Sequence, residues 1–196
     1  KILRIRGEAM QNSVPEGQGG MIAVLGSKIE EIEKILTVNK EIFKVQIAND
    51  NSEGQIVLSG KNKDLDDLVL ILKERSIKNI KLPVSAPFHC SLMSKATKIM
   101  NEELNKLDFK QPQNRLISNV TAKEIKNVSE LKDLLIKQIE SRVRWRESVI
   151  EMIKNGTNHF IEIGPGKVLS GLLKRINKEV KIDSINSEED IKNLNI

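Results

Sequence analysis

A histidine between a predicted strand and a predicted helix is the first candidate for chemistry in this sequence. His89 follows a strand that is expected to end near Val84, and a helix is expected directly after it. In an α/β sheet, side chains at the carboxyl end of a strand face the usual ligand crevice, and imidazole can act as a general base near neutral pH. The alternative for His89 is a surface or helix-capping histidine. His159, at the start of a later strand, is expected to be structural.

A histidine base needs a nucleophile, and the residue types do not supply one. The Gly-x-Ser-x-Gly pattern that raises a serine above an α/β-hydrolase sheet does not occur in the 196 residues. Cys90 adjoins His89, but neighbouring side chains that leave a strand point apart, so this thiol is not expected to act with this imidazole. The residues alone therefore predict a base without its partner.

Two further features could bind anions. An arginine on the opening helix could hold a carboxylate through two parallel hydrogen bonds. Arg4 and Arg6 are equivalent by spacing, and either could be an ordinary solvated charge. The Gly-Pro-Gly stretch at 164–166 lies between a strand and a helix, where it could cradle an anion or form a tight turn. The turn is the favoured interpretation.

Composition excludes several classes of protein. The chain has 32 Lys and Arg residues against 27 Asp and Glu, without a dense basic run, and only 3% aromatic residues, which argues against a base-stacking nucleic-acid platform. One cysteine and two unclustered histidines predict neither a disulfide framework nor a metal site. Apolar runs are too short to span a membrane, and no signal peptide opens the chain, so a cytoplasmic protein is expected. A first residue other than Met suggests a fragment or a processed product.

The first half of the chain alternates in a pattern typical of a ferredoxin-like unit. Strands are predicted at residues 21–25, 42–48, 55–59 and 79–84. Helices are predicted at 29–36, where Ser27 and Glu30 could form a capping box, and at 65–72. The order β-α-β-β-α-β over residues 20–84 is the split βαβ pattern.

The second half predicts helices that alternate with strands. The expected helices cover 91–107, a stretch capped by Ser129, 145–155, a stretch ending near Asn177 and one starting at Ser187. The expected strands cover 115–118, 160–163 and 181–185. This alternation favours a parallel, doubly wound layer and an α/β fold for the chain.

Five stretches together resemble one enzyme family. They read IRGEAMQNSVPEG at 5–17, ANDNSEGQIVLSG at 48–60, VSAPFHCSLM at 84–93, SNVTA at 118–122 and FIEIGPGKVLSGLLKRI at 160–176. In this order and spacing the sequence is similar, over nearly its whole length, to malonyl-CoA:acyl-carrier-protein transacylases of fatty-acid synthesis. The family's Gly-His-Ser-Leu-Gly motif and its oxyanion-hole segment precede the arginine string and are not in this sequence, so the chain alone is expected to be inactive.

The resemblance implies both a fold and a reaction. The fold is an incomplete α/β-hydrolase-like large subdomain, residues 1–19 and 85–196, with an inserted ferredoxin-like βαββαβ small subdomain, residues 20–84. The reaction is ping-pong transfer of malonyl from CoA to the phosphopantetheine thiol of acyl carrier protein through a serine ester. CoA and phosphopantetheine would enter as substrate carriers, with no metal or redox cofactor. The family is usually monomeric, and neither nucleic acid nor membrane is an expected partner.

The resemblance also assigns roles to individual residues. His89 matches the catalytic base, Gln138 matches the position whose main-chain carbonyl orients that base, and Arg6 matches the arginine that binds the malonyl carboxylate. Phe88 matches a bulky residue that goes with unbranched malonyl in related polyketide acyltransferases. Asp50, Glu53 and Arg142 depart from the family pattern, so the loop geometry around them is expected to differ.

The expected protein partner is an acidic acyl carrier protein. Lys174 and Arg175, on the helix after the Gly-Pro-Gly stretch, could dock it, or they could be ordinary solvated charges. Two other functions stay open at this point. One is a non-catalytic module that binds acyl carrier protein or CoA, and the other is a fragment of a polyketide-synthase acyltransferase domain.

Overall fold

A four-stranded antiparallel sheet forms one part of the fold in the computed structural model, which describes residues 1–194. Its strands, in the spatial order β2-β3-β1-β4, are β1 Gly19–Leu25, β2 Gln46–Ser52, β3 Gln55–Lys61 and β4 Lys78–Lys81. Helices α2 Ile29–Val38 and α3 Asn62–Glu74 join the strands in the chain order β-α-β-β-α-β. We call this unit, residues 19–81, the small module.

The helices of the small module bury one face of its sheet. Leu65, Leu68 and Leu72 lie at helical spacing along α3, and all three are buried. They belong to one apolar cluster with Val24 of β1 and Leu58 of β3. Burial of each such side chain contributes about 1.5–3 kcal/mol, so this cluster holds α3 on the sheet.

The opposite face of the sheet carries the loop that contains the histidine. Met21 and Val57 form a second cluster there, against which Phe88 packs. Gly19 lies so close to this loop that a Cβ at its position would be 2.4 Å from Cγ of Pro87. Only glycine permits this approach, so the sheet fixes the position of the loop from beneath.

The remaining residues, 1–18 and 82–194, are called the large module. Three of its helices, which share a core, are α1 Ile2–Gln11, α4 Ser94–Asn105 and α5 Val128–Lys137. That core contains Met10, Met93, Met100 and Ile139, all buried. A short 3-10 turn, Ser91–Met93, leads from the histidine loop into α4. The loop therefore ends at Met93, a residue of this core.

A two-stranded parallel sheet completes the large module. Its elements, in chain order, are α6 Trp145–Lys154, β5 His159–Ile163, α7 Val168–Ile176, β6 Lys181–Ile185 and α8 Glu188–Lys192. The strands pair in parallel register from His159–Lys181 to Ile163–Ile185. The mixed α/β fold is therefore confirmed, but the expected strand at 115–118 is only a bridge between Ile117 and Glu124. Across residues 1–194, no helix combines the length and apolar character that crossing a bilayer requires.

Two of the predicted helix caps are wrong. Lys28 precedes α2 with extended backbone, and no side chain caps that helix, so Ser27 and Glu30 form no capping box. α5 is capped by Asn127, whose side chain accepts a hydrogen bond from the amide three residues on. Ser129 lies inside the first turn of α5, where its side chain cannot take the capping position.

Candidate active site

His89 lies in a tightly held loop with left-handed backbone geometry. Its φ angle is +59°, a left-handed conformation that residues with a side chain adopt infrequently. The contacts of the loop include the Cys90 thiol, which donates to the Pro87 carbonyl at 3.1 Å. They also include the Ser91 amide, which donates to Oε1 of Gln46 at 2.7 Å. The loop is thus closed on itself by the Cys90 thiol and attached to β2 through the Ser91 amide.

A main-chain carbonyl at the end of α5 orients the imidazole. Nδ1 of His89 lies 3.0 Å from the carbonyl oxygen of Gln138, the residue that ends α5. A carbonyl can only accept, so Nδ1 carries the proton and Nε2 carries the free lone pair. This is the arrangement of a general base, and no carboxylate is needed to fix the tautomer.

The surroundings of His89 favour the neutral, proton-accepting form of the ring. Burial is the largest effect, and it lowers the pKa of His89 below its usual value of 6.5. The hydrogen bond to the Gln138 carbonyl opposes this shift, whereas the positive charge of Arg6 adds to it. The imidazole can therefore accept a proton at neutral pH.

Arg6 is a partly buried cation without a protein partner in residues 1–194, where it has neither an ion pair nor a hydrogen bond. Burial lowers the pKa of its guanidinium. Arg4, on the same helix, instead pairs with Glu8 at 2.9 Å, and its side chain is 85% exposed. The structure therefore separates two arginines that are equivalent by spacing, because only Arg6 is both sheltered and unpaired.

Arg6 and Gln138 line the same cavity between α1, α4 and α5. The cavity has a volume of about 330 Å³, and most of its other lining residues are apolar. His89 lines a second cavity of about 680 Å³, where α2 and β2 of the small module face residues 140–144 of the large module. Gln138 connects the two spaces, since its carbonyl holds the histidine of one while the residue lines the other.

Comparison with known proteins then decides the family. The family model described as "Acyl transferase domain" matches residues 1–194. This chain belongs to the acyl transferase domain family. It is 41% identical over 191 residues to the malonyl CoA-acyl carrier protein transacylase of Bacillus subtilis, covering 96% of this chain and 60% of that protein. The Staphylococcus aureus (strain MRSA252) transacylase is 40% identical over 199 residues, covering 100% of this chain and 64% of that protein.

Solved structures give the same result. The malonyl CoA-acyl carrier protein transacylase of Clostridium perfringens superposes with a TM-score of 0.94 at 38% identity, covering 98% of this chain and 61% of that chain. A malonyl-transacylase solved with a type II polyketide-synthase acyl-carrier protein gives a TM-score of 0.91 at 31% identity, covering 97% of this chain and 62% of that one. The resemblance to malonyl transacylases is confirmed, and this acyl transferase domain spans about three fifths of the length of these relatives.

Phe88 takes a different place in the acyl transferase domain from that of His89. Its half-buried side chain packs between the sheet cluster around Met21 and the helical core around Met93. It lines neither the Arg6 cavity nor the His89 cavity. Phe88 therefore supports the histidine loop from behind, and its influence on acyl selection stays a prediction.

The second histidine and the Gly-Pro-Gly turn have structural partners. Nε2 of His159 lies 2.7 Å from Oδ2 of Asp183 on the neighbouring strand, in agreement with its expected structural role. The first free amides of α7, those of Leu169 and Ser170, donate to the Glu162 carboxylate at 3.0 and 2.7 Å. A side chain of the protein already fills the anion position at this helix, so the turn interpretation is the better one.

Lys174 and Arg175 lie exposed on α7, away from both cavities. Nη1 of Arg175 donates to Oε1 of Gln55 on β3 at 2.9 Å, so one of the two charges is held near the small module. Neither residue lines the His89 cavity.

Sequence reasoning missed a set of ion pairs that joins the two modules. Arg146 of α6 donates to both carboxylate oxygens of Asp50 on β2, which is 1% exposed. Arg142 pairs with Glu33 of α2 at 2.8 Å. The amide of Val143 donates to the small module at 2.7 Å, between these pairs. The available signal was charge, because Asp50 and Arg142, both expected to depart from the family pattern, each have a partner of opposite charge in the other module.

Proposed function

We propose that this chain is the histidine-bearing part of a malonyltransferase that moves malonyl from CoA to the phosphopantetheine thiol of acyl carrier protein. The observation that carries the proposal is the 3.0 Å contact between Nδ1 of His89 and the Gln138 carbonyl, which leaves Nε2 free as a base. The unpaired Arg6 beside it supports selection of an acyl group that carries a carboxylate. The names of the relatives support the same substrates.

The chemistry needs a serine that these 196 residues do not place in a nucleophile elbow. In the proposed reaction, Nε2 of His89 takes the hydroxyl proton as the serine oxygen bonds to the thioester carbon. The carbon–sulfur bond to CoA then breaks, and the CoA sulfur leaves with the proton from His89. The phosphopantetheine thiol repeats these steps on the serine ester, giving malonyl carrier protein and free serine.

Arg6 has a separate role in this scheme, because it binds rather than reacts. A guanidinium can form two parallel hydrogen bonds with the malonyl carboxylate, which lies two bonds from the reacting carbonyl. An acetyl group would leave the sheltered cation unpaired, at a cost in free energy. Selection of malonyl would therefore arise from the penalty on the wrong acyl group as well as from attraction to the right one.

The finer division of the fold belongs to the same proposal. We assign residues 20–84 to an inserted ferredoxin-like subdomain, and residues 1–19 and 85–196 to part of an α/β-hydrolase-like subdomain. The sheet order β2-β3-β1-β4 supports the first assignment, and the parallel pairing of β5 with β6 supports the second. In this arrangement His89 lies directly after the insertion, where the chain returns to the larger part.

The decisive test is to supply a serine nucleophile. The chain would be joined to the serine-bearing segment of the Bacillus subtilis relative, and malonyl transfer to acyl carrier protein would be measured. We expect turnover that falls about 10²–10⁴-fold on His89→Ala, because a general base is lost. His159→Ala is the matched control and should retain activity. Loss of less than tenfold on His89→Ala, or equal loss in both variants, would refute the proposal.

Docking of the carrier protein is a distinct part of the proposal. Acidic carrier proteins are attracted by exposed positive charges, and Lys174 and Arg175 supply two on one helix. Reversing both to Glu should weaken binding and reduce its dependence on salt. Reversing Lys110 and Lys126 together changes the net charge equally and should have a smaller effect. Equal weakening by the two double variants would show a nonspecific charge effect and remove α7 as the docking site.

The carrier protein itself distinguishes fatty-acid synthesis from polyketide synthesis. One of the similar structures is a malonyl-transacylase in complex with a type II polyketide-synthase carrier protein, so membership of the family does not by itself identify the pathway. We propose fatty-acid synthesis, because the five stretches of the sequence resemble the transacylases of that pathway. Comparing transfer rates to fatty-acid and polyketide carrier proteins would decide between them.

A further inference from the structure

Two residues of the small module hold the loop that contains His89 by hydrogen bonds. Gln46 of β2 and Ser59 of β3 face each other as a cross-strand pair. The hydroxyl of Ser59 donates to Sγ of Cys90 at 3.5 Å. Oε1 of Gln46 accepts from the Ser91 amide at 2.7 Å. One cross-strand pair thus contacts both of the residues that follow the histidine in the chain.

The contact made by Ser59 is enclosed within the protein. Ser59 is 0% exposed and Cys90 is 1% exposed. Ser59 lies two residues after Val57 and opposite Met21, on the face of the sheet that carries the histidine loop. A buried hydroxyl is costly unless it is hydrogen-bonded, and here its bond goes to a thiol that in turn donates to the Pro87 carbonyl. The small module therefore makes a buried polar contact directly beside the histidine.

The imidazole ring, in contrast, is held by the large module. Nδ1 of His89 lies 3.0 Å from the carbonyl oxygen of Gln138, at the end of α5. A hydrogen bond of this kind weakens steeply when its distance and angle change, so it forms only while the loop keeps its place relative to α5. The direction of the ring and the atom that carries its proton therefore depend on both modules.

We propose that Gln46 and Ser59 are positioning residues for the His89 base and act through the two residues that follow it. The inference rests on the proposed function and extends it, since the sheet of the small module then sets the angle at which the base meets the serine. Sulfur is a weak acceptor, and the contact made by Gln46 is exposed to water. The two bonds are therefore expected to act together, with a smaller effect from the loss of either one.

The same pair of strands supplies a matched control. Ser52 and Gln55 also face each other across β2 and β3, and Ser52 is 1% exposed. Oε1 of Gln55 accepts from Arg175, and neither member of this second pair lines the His89 cavity. Ser52→Ala combined with Gln55→Leu therefore removes the same chemical groups from the same two strands and leaves the contacts of the histidine loop in place.

The first measurement is the tautomer of the neutral His89 ring in the 196-residue chain, read from the ring-nitrogen shifts in NMR spectra. We expect the proton on Nδ1 in the unsubstituted chain and in the control pair, because the carbonyl of α5 accepts from it. Gln46→Leu combined with Ser59→Ala should show a mixture of the two tautomers. Gln46→Glu keeps an oxygen that accepts from the amide, so it should match the unsubstituted chain.

The second measurement is malonyl transfer by the chain joined to the serine-bearing segment described above. The double variant of Gln46 and Ser59 should lose about ten- to a hundredfold in kcat, up to the loss that a misplacement of about 1 Å causes, with an unchanged KM for malonyl-CoA. In a His89→Ala background the same two substitutions should cause no further loss, because no base is left to position.

Three results would overturn the inference. One is a proton that stays on Nδ1 in the double variant of Gln46 and Ser59. The others are equal effects of the two pairs and a further loss in the His89→Ala background, since both would show that the substitutions act on the fold as a whole. Absence of malonyl transfer by the joined, unsubstituted chain would instead refute the proposed function, and the tautomer would still decide whether the pair positions the ring.

Discussion

Replacing Arg146 by Met should destabilise the chain far more than the same change at Arg4. Arg146 contacts Asp50 through Nε at 3.0 and 3.1 Å and through Nη2 at 2.9 Å, and this carboxylate is 1% exposed. Arg4 pairs with Glu8 at a similar 2.9 Å, but the two side chains are 85% and 60% exposed. The pairs thus match in distance and differ in burial.

The magnitude follows from that difference. Removing one member of a buried pair leaves an uncompensated charge, at a cost of about 3–5 kcal/mol. Arg146 itself is 27% exposed, so water can reach part of the vacated site, and we expect about 3 kcal/mol, the lower end of that range. For Arg4→Met we expect less than about 0.5 kcal/mol, because exposed pairs contribute little.

Urea unfolding would measure both changes in the free energy of unfolding. The transition midpoint should fall in Arg146→Met with little change in the slope, which would show lost stability rather than an altered unfolded state. Asp50→Leu combined with Arg146→Met should be more stable than Arg146→Met alone, because no unpaired charge is left. The reasoning would be refuted if Arg146→Met and Arg4→Met differed by less than about 1 kcal/mol.

Two further predictions concern the histidine loop. His89 should titrate in NMR experiments below 6.5, because burial lowers its pKa; Arg6→Gln should raise that midpoint and Arg4→Gln should not. Since the folded pKa lies below the unfolded one, the stability contributed is complete above pH 6.5 and is lost as pH falls through the folded pKa; a titration above 6.5 would contradict this. Gly19→Ala should destabilise the chain, because the new Cβ would lie 2.4 Å from a proline ring carbon, whereas Gly7→Ala, with nothing within 4 Å, should stabilise α1 by about 0.5–1 kcal/mol. Thermal unfolding would compare the two, and equal shifts would disprove the close-approach argument.

Sequence patterns predicted the helices and strands whose formation depends on residues close together in the chain. The spacing of Leu65, Leu68 and Leu72 predicted α3, since one face of a helix must be apolar to pack on a sheet. The order β-α-β-β-α-β followed from alternating periods and turn residues. The capping residues were not predicted correctly, since Asn127 rather than Ser129 caps α5. The apolar spacing of the helix does not specify which of these two residues precedes its first turn.

The candidate active site likewise has features that the sequence predicts and features that only the tertiary structure shows. Residue type predicted His89 as a candidate base, and the family resemblance assigned roles to Arg6 and Gln138. The role of Gln138 is performed by a main-chain carbonyl, which every residue type possesses, so composition and spacing carry no signal for it. The left-handed backbone at His89 lies in a loop that is also held by a distant residue, since the Ser91 amide donates to Gln46 on β2.

By itself, the amino-acid order determined most of the helices and strands, although not the strand expected at 115–118, and which side chains are able to accept a proton or hold an anion. Only the tertiary structure decided that Arg6 is sheltered while Arg4 is solvated, and that Asp50 meets an arginine 96 residues away. The physical reason is that secondary structure depends on hydrogen bonds and apolar spacing within a few residues. Burial, charge pairing and pKa shifts depend on which surfaces meet after the chain has folded.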